Sequence, residues 1–177
     1  MLFRSKDKYT AGHSRRVTKI AMETGIEMGL RREELENLHW AALLHDIGKI
    51  GIDSSVQNKP GMLTPTEYDY ILTHCSIGPG IVEPLVNAGI VAVIRHHHDS
   101  YDGSGPNQKA RGEEIPLGAR ILAVSDSFDA MTSDRPYRSA MTASKAIAEV
   151  KKCAGTQFDP LVVKAFLKIP LITSLKI

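Results

Sequence analysis

Cysteine is scarce in this 177-residue chain: Cys75 and Cys153 are the whole supply. Two thiols cannot build a disulfide framework, and such usage fits a reducing compartment. An excess of one charge is missing too. The formal net charge is +2, which gives no global basic field of the kind that nonspecific binding of a nucleic-acid polymer needs. No apolar run approaches the length of a membrane span, and the opening MLFRSKDKYT lacks the apolar stretch of a signal peptide. Internal repeats and low-complexity segments are absent. These absences predict one cytoplasmic globular domain over residues 1–177, large enough to bury a core without staples, with no membrane and no nucleic-acid polymer as partner. A small anionic substrate stays open, provided positive charge is gathered locally.

What the chain does have is helical periodicity, with little strand alternation. Val17, Ile20, Ala21, Thr24 and Met28 recur on one side of a segment from about Tyr9 to Met28, and Gly29 ends it. A second helix is predicted from about Arg32 to Asp46, with Gly48 at its end. Thr64-Pro65-Thr66-Glu67 is a helix start, with Pro in the first turn and a carboxylate beside it. That helix is expected to reach about His74, before a turn at SIGPG. Val91 to His97 is short and apolar, IPLGARILAVSDSFDAMTS reads as a buried helix, and Ala143 to Cys153 and Pro160 to Leu167 read as two more. GSGPNQKARGEE is the one clear long loop. The fold class is all-α, a compact bundle of six to eight helices.

The chemistry gathers around unusual polar residues in apolar company. His96 to Asn107 reads HHHDSYDGSGPN, three adjacent imidazoles followed by a glycine-rich loop. His45 and Asp46 follow the apolar run Ala41 to Leu44, and Asp126 sits among Ile121, Leu122, Val124 and Phe128. An ionised carboxylate in such a place is costly unless it is paired or bound to a cation. Taken singly, each has an ordinary explanation as a cap, a salt-bridge partner or a satisfied core histidine. Taken together, His13, His45, Asp46, His74, His97, His98 and Asp126 form the ligand set of hard to borderline transition metals, with no thiol needed and both cysteines in unpromising positions. Seven candidate ligands exceed what one tetrahedral ion takes, so two metals are expected.

At this point the sequence resembles the HD-GYP domains, a branch of the HD-domain phosphohydrolases whose usual activity is cyclic di-GMP phosphodiesterase. The similarity runs from about Tyr9 to Phe166, through YTAGHSRRV, AALLHDIGKIGI, KPGMLT, HHHDSYDGSG, GEEIPLGARILAVSDSFDAMTSDRPYR and AGTQFDPLVVKAF in that order. The resemblance implies an HD-type helical bundle around a dinuclear site. One metal would be held by His13, His45 and Asp126 and the second by His74, His97 and His98, with Asp46 bridging them. Iron or manganese is the expected ion. His96 is the extra histidine of the triplet, read as exposed or merely supporting, and His39 lies on another helical face from His45. Tyr9 stands where some members place a glutamate for a third metal, which argues for two.

The implied reaction is hydrolysis of a cyclic dinucleotide to the linear form, and on to GMP in some members, by water activated between two cations. Asp46 and Lys49 are the catalytic candidates. Lys49, Arg135 and Arg138 would supply local positive charge to substrate phosphates, the arginines by bidentate contact. The family's Gly-Tyr-Pro triplet aligns on Gly105, Pro106 and Asn107, so only the glycine is kept, and Asp99 replaces a usual glutamate. Gly105 therefore stands as a substrate-binding candidate within an altered loop. Two readings follow: a metal-dependent phosphodiesterase acting on cyclic di-GMP or a related cyclic dinucleotide, or a metal-loaded binding or signalling module with little turnover. A homodimer and an N-terminal receiver or sensory domain in a longer parent protein are further partners that the resemblance brings.

Overall fold

Apolar residues at helical spacing pack here around one long helix. The structure, a computed structural model, describes residues 10–105, 110–134 and 139–174. In chain order the helices are α1 (Thr10–Glu27), α2 (Arg32–Leu44), a 3-10 turn (Ile47–Gly51), α3 (Ser54–Gln57), α4 (Pro65–Leu72), α5 (His74–Val82) and α6 (Ala88–His96). A second 3-10 turn (Gly112–Glu114) precedes α7 (Leu117–Thr132), α8 (Ala143–Lys152), α9 (Pro160–Phe166) and α10 (Pro170–Thr173). No β-strand forms among the described residues, only an isolated bridge between Ala154 and Phe158. The fold is all-α, and no described helix is long and apolar enough to cross a membrane.

Helix α7 is the axis of the core. Its Ala119, Ile121, Leu122, Val124 and Phe128 are buried, and α1, α2, α6, α8 and α9 pack around it. Phe128 meets Phe166 of α9 edge to face at 5.1 Å between ring centroids. Burying each such side chain contributes about 1.5–3 kcal/mol. The buried Asp159 caps α9 by accepting from Leu161 N at 2.7 Å and also pairs with Arg120 of α7, which ties the two helices together. Hydroxyls that fall inside the core are satisfied locally: Thr24 and Ser125 each donate to the carbonyl four residues earlier.

The helix start at Thr64 forms as its sequence dictates. Thr64 Oγ1 accepts from Glu67 N, Glu67 Oε2 accepts from Thr64 N at 2.8 Å, and Pro65 occupies the first turn. Two boundaries differ from expectation. Helix α2 stops at Leu44, so Asp46 begins the 3-10 turn instead of ending the helix. SIGPG is not a turn either but the body of α5, with Pro79 inside the helix.

Packing explains that second difference. A Cβ on Gly48 would lie 2.2 Å from the His74 carbonyl oxygen and 2.6 Å from Gly78 N. The HDIGK segment and α5 therefore touch backbone to backbone, and the glycines that looked like turn residues serve this approach. Tertiary contact overrides the local breaker signal. The consequence for the site is that Asp46 and His74, which flank this contact, are held in fixed relation.

Candidate metal centre

Four helix ends and one helix middle bring the polar residues together. His13 comes from α1, His45 and Asp46 directly follow the end of α2, and His74 starts α5. His97 and His98 follow α6, and Asp126 projects from α7. The ligand atoms of His13, His45 and Asp126 all lie within 4.8 Å of one another, as do those of His74, Cys75, His97 and His98. Asp46 stands between the two groups. Its Oδ2 lies 3.4 Å from His45 Nε2 and 3.8 Å from His13 Nε2, while its Oδ1 lies 3.5 Å from His74 Nε2.

Three of these imidazoles are oriented in the same way. Nδ1 of His45, His74 and His97 faces the carbonyl of the residue three positions earlier, Ala42, Ile71 and Ile94, at 2.8, 2.6 and 2.7 Å. A carbonyl can only accept, so each Nδ1 carries the proton and each Nε2 presents its lone pair to the site. The Nε2 atoms of His74 and His97 then face each other at 3.2 Å. Burial pushes both histidines below their ordinary pKa, His97 far below, and neighbouring histidines add to the shift. Burial likewise brings His98 down to about 4. Two lone pairs at that distance repel unless a cation joins them, so this donor set fits a metal ion. The buried His45 Nε2 makes no hydrogen bond among the described residues, a second sign of an intended cation.

The carboxylates are kept ionised. Burial opposes the charge on Asp46, but Lys49, whose Nζ donates to Oδ2 at 2.7 Å, and His45 outweigh it and hold the carboxyl well below its usual range. Asp126 behaves alike: burial is overcome by the hydrogen bond from His13, whose Nε2 lies 3.2 Å from Oδ1. For His13 itself burial favours the neutral ring, yet Asp126 and Asp129 raise its pKa to about 9. Neutral imidazoles on one side and ionised carboxylates on the other suit divalent ions bound through nitrogen and oxygen.

The remaining candidates fall out differently. Lys49 is turned onto Asp46, so its charge faces the centre. Gly105 lines a cavity of about 280 Å³ beside the second histidine group, along with Tyr68, His97, His98, Asp99 and Gln157. A Cβ there would lie 2.5 Å from Ser100 N, so only glycine fits that close approach. Hydrogen bonds from Tyr101 N to Gln157 O and from Asp102 N to Thr156 O pin the histidine loop to the Cys153–Phe158 turn and shape this cavity. Arg135 and Arg138 lie outside the described residues, as do Tyr9, Pro106 and Asn107. Asp134 Oδ1 accepts from Ala140 N at 2.9 Å just beyond the arginine segment.

His39 packs edge to face on Trp40, away from the cluster. His96 is a supporting residue, since its Nδ1 donates to the buried Asp99 at 2.7 Å. Two features escaped the sequence reading. Cys75 was set aside, yet its Sγ lies 3.7 Å from His74 Nε2; burial pushes its thiol up to about 12. Adjacency to His74 was the available signal. Asp129, buried one turn after Asp126, accepts from His13 Nδ1 at 2.7 Å and from Arg16. A second carboxylate in SDSFD at a spacing of three would have flagged it.

Known proteins resemble this chain in sequence and in fold. The chain is 38% identical over 173 residues to a cyclic di-GMP phosphodiesterase of Thermotoga maritima, covering 96% of the chain and 47% of that protein. It is 36% identical over 157 residues to the 3′3′-cGAMP-specific phosphodiesterase 3 of Vibrio cholerae, covering 88% and 34%. The chain thus spans less than half the length of these curated relatives. Bd1817, an HDG"Y"P protein from Bdellovibrio bacteriovorus, superposes with a TM-score of 0.74 at 16% identity over 90% of the chain and 52% of its own, which is a likeness of fold. The HD domain family model matches residues 1–162. With most of its length matched and its histidines and aspartates gathered as described, the chain belongs to the HD domain family.

Proposed function

We propose that this chain is a metal-dependent phosphodiesterase domain that hydrolyses cyclic di-GMP or a related cyclic dinucleotide to the linear dinucleotide. The observation that carries the reading is Asp46, which turns one oxygen toward His45 and the other toward His74. The names of the relatives support the substrate class, one acting on cyclic di-GMP and another on 3′3′-cGAMP. Two divalent ions are assigned, one to His13, His45 and Asp126, the other to His74, His97 and His98, with Asp46 shared. Iron or manganese suits the mixed imidazole and carboxylate donors.

Bound there, two such ions supply a water of lowered pKa and neutralise charge on the phosphoryl oxygens. The chain's own residues do the rest. Backbone carbonyls fix the three buried imidazoles, so the donor atoms need no reorganisation on binding. Lys49 keeps Asp46 ionised and adds positive charge where a phosphodiester would enter. Arg135 and Arg138 are assigned to the flanking phosphates. The cavity of about 280 Å³ beside His97 and His98 is assigned to part of the substrate. Hydrolysis consumes one water, breaks one bond from phosphorus to a ribose 3′-oxygen, and leaves a 5′-phosphate and a 3′-hydroxyl.

The catalytic unit is taken to be a single domain over residues 1–177 acting in the cytoplasm. A regulatory domain elsewhere in a longer parent and a homodimer complete the proposal. The test is an anaerobic assay of purified protein, with ion content by elemental analysis beside cyclic di-GMP and cGAMP hydrolysis after iron or manganese loading. About two ions per chain with linear dinucleotide as product supports the enzyme. Two ions with dinucleotide bound but no turnover would replace it with a binding module, the reading that the GSGPN loop favours.

A further inference from the structure

Among the four candidate metal ligands whose Nδ1 partner is described, His13 is the exception. His45, His74 and His97 give their Nδ1 proton to the backbone carbonyl three residues before, a partner that no substitution removes. His13 stands near the start of α1 and gives its proton to a side chain, Asp129 Oδ2, at 2.7 Å. That carboxylate is only 3% exposed, and burying it would be costly were it not paired. Arg16, one turn after His13 on α1, grips it by two contacts, Nε to Oδ1 and Nη2 to Oδ2, the second at 3.0 Å. Ser133 Oγ lies 3.0 Å from the same guanidinium. The outcome is a chain of side chains, Arg16 to Asp129 to His13, that ends on Nε2 facing Asp126 and Asp46.

We propose that Asp129 is the positioning residue of His13: it fixes the Nδ1–H tautomer, aims Nε2 at the first metal position, and makes that imidazole a stronger donor than its carbonyl-held counterparts. Arg16 holds Asp129 in place. The inference rests on the reading of His13 as a metal ligand. Carboxylates that receive the second nitrogen of a ligating histidine typically set metal affinity by 10- to 100-fold. Because the partner is a side chain, this is the orienting contact of the centre that substitution can remove without touching a ligand.

The experiment titrates Mn²⁺ into the metal-free parent, Asp129→Asn, Asp129→Ala and Arg16→Gln, with affinity read by chelator competition. The His13 tautomer is read by ¹⁵N chemical shifts in the metal-free state at about pH 10.5, where the ring is neutral, and thermal melting confirms folding. Asp129→Asn keeps the shape of the side chain, and Arg16 is half exposed, so two of the three variants spare the core. The expected result is two ions in the parent. One of them should weaken by about 10-fold in Asp129→Asn and by about 10- to 100-fold in Asp129→Ala. Arg16→Gln should weaken the same ion less, and the other ion should not change. The His13 ¹⁵N pattern should move toward a mixture of tautomers. Folded Asp129 variants that bind both ions with parental affinity and keep the parental tautomer overturn the proposal alone. A parent that binds no ion through His13 overturns the ligand reading beneath it.

Discussion

His74 Nε2 and His97 Nε2 face each other at 3.2 Å, and each ring has its Nδ1 proton committed to a backbone carbonyl. Neither ring gains a proton easily, because burial disfavours the charged form of both. The pair is thus a repulsive contact that a divalent cation converts into an attractive one. Adding Mn²⁺ at 100 times its dissociation constant should stabilise the metal-free protein by about 2.7 kcal/mol per ion. In a chain of this size that is a rise in Tm of about 5–10 °C. His97→Ala should lose the share of this shift that belongs to the second ion. A Tm indifferent to Mn²⁺ would contradict the account of this pair.

The contact between Gly48 and α5 makes a second expectation. A Cβ at residue 48 meets the His74 carbonyl oxygen at 2.2 Å, and backbone cannot swing aside as a side chain can. Gly48→Ala should destabilise the fold by about 1–3 kcal/mol through overpacking. It should also separate Asp46 from His74, so metal binding falls further than stability does. Denaturant unfolding of the metal-free variant beside an Mn²⁺ titration measures both; an unchanged midpoint and affinity would refute the packing argument.

How much of this was legible in the sequence varies with the range of the interaction. The ligand candidates stood out because imidazoles and carboxylates lay in apolar helical runs, where a side chain needs a reason to be polar. SIGPG was misread because proline and glycine signal a turn locally, while here Gly48 and Gly78 serve contact between segments distant in sequence. Asp129 escaped because its partner His13 is 116 positions away, and nothing local links GHSRR to SDSFD. Cys75 looked unpromising by type alone, and only the fold puts its sulfur near His74.

His96 offers a contrast with its neighbours in the triplet. Its Nδ1 donates to Asp99 at 2.7 Å, away from the cluster of Nε2 atoms. His96→Ala should leave Asp99 buried without this partner and cost about 1–3 kcal/mol of stability, with two ions still bound. His97→Ala should do the reverse to the ion count. Elemental analysis and unfolding midpoints of the two variants separate these roles, and loss of an ion from His96→Ala would reassign that residue.

In the metal-free protein His13 titrates near 9, above the 6.5 of an unfolded histidine. A raised value means that the folded state binds the proton more tightly, so this stabilisation is fully present below about pH 6.5 and is lost as pH rises through about 9. Metal-free protein should therefore unfold at lower urea at pH 9.5 than at pH 6.5, and His13→Gln should flatten that slope. A parental slope in His13→Gln would show that other groups cause it.

The central claim is that Asp46 serves both halves of the site. Elemental analysis of Asp46→Ala, His45→Ala and His74→Ala after identical anaerobic manganese loading tests it most directly. The account predicts about two ions per chain in the parent, about one in each histidine variant, and close to none in Asp46→Ala. Retention of two ions by folded Asp46→Ala, or loss of only one, would contradict it.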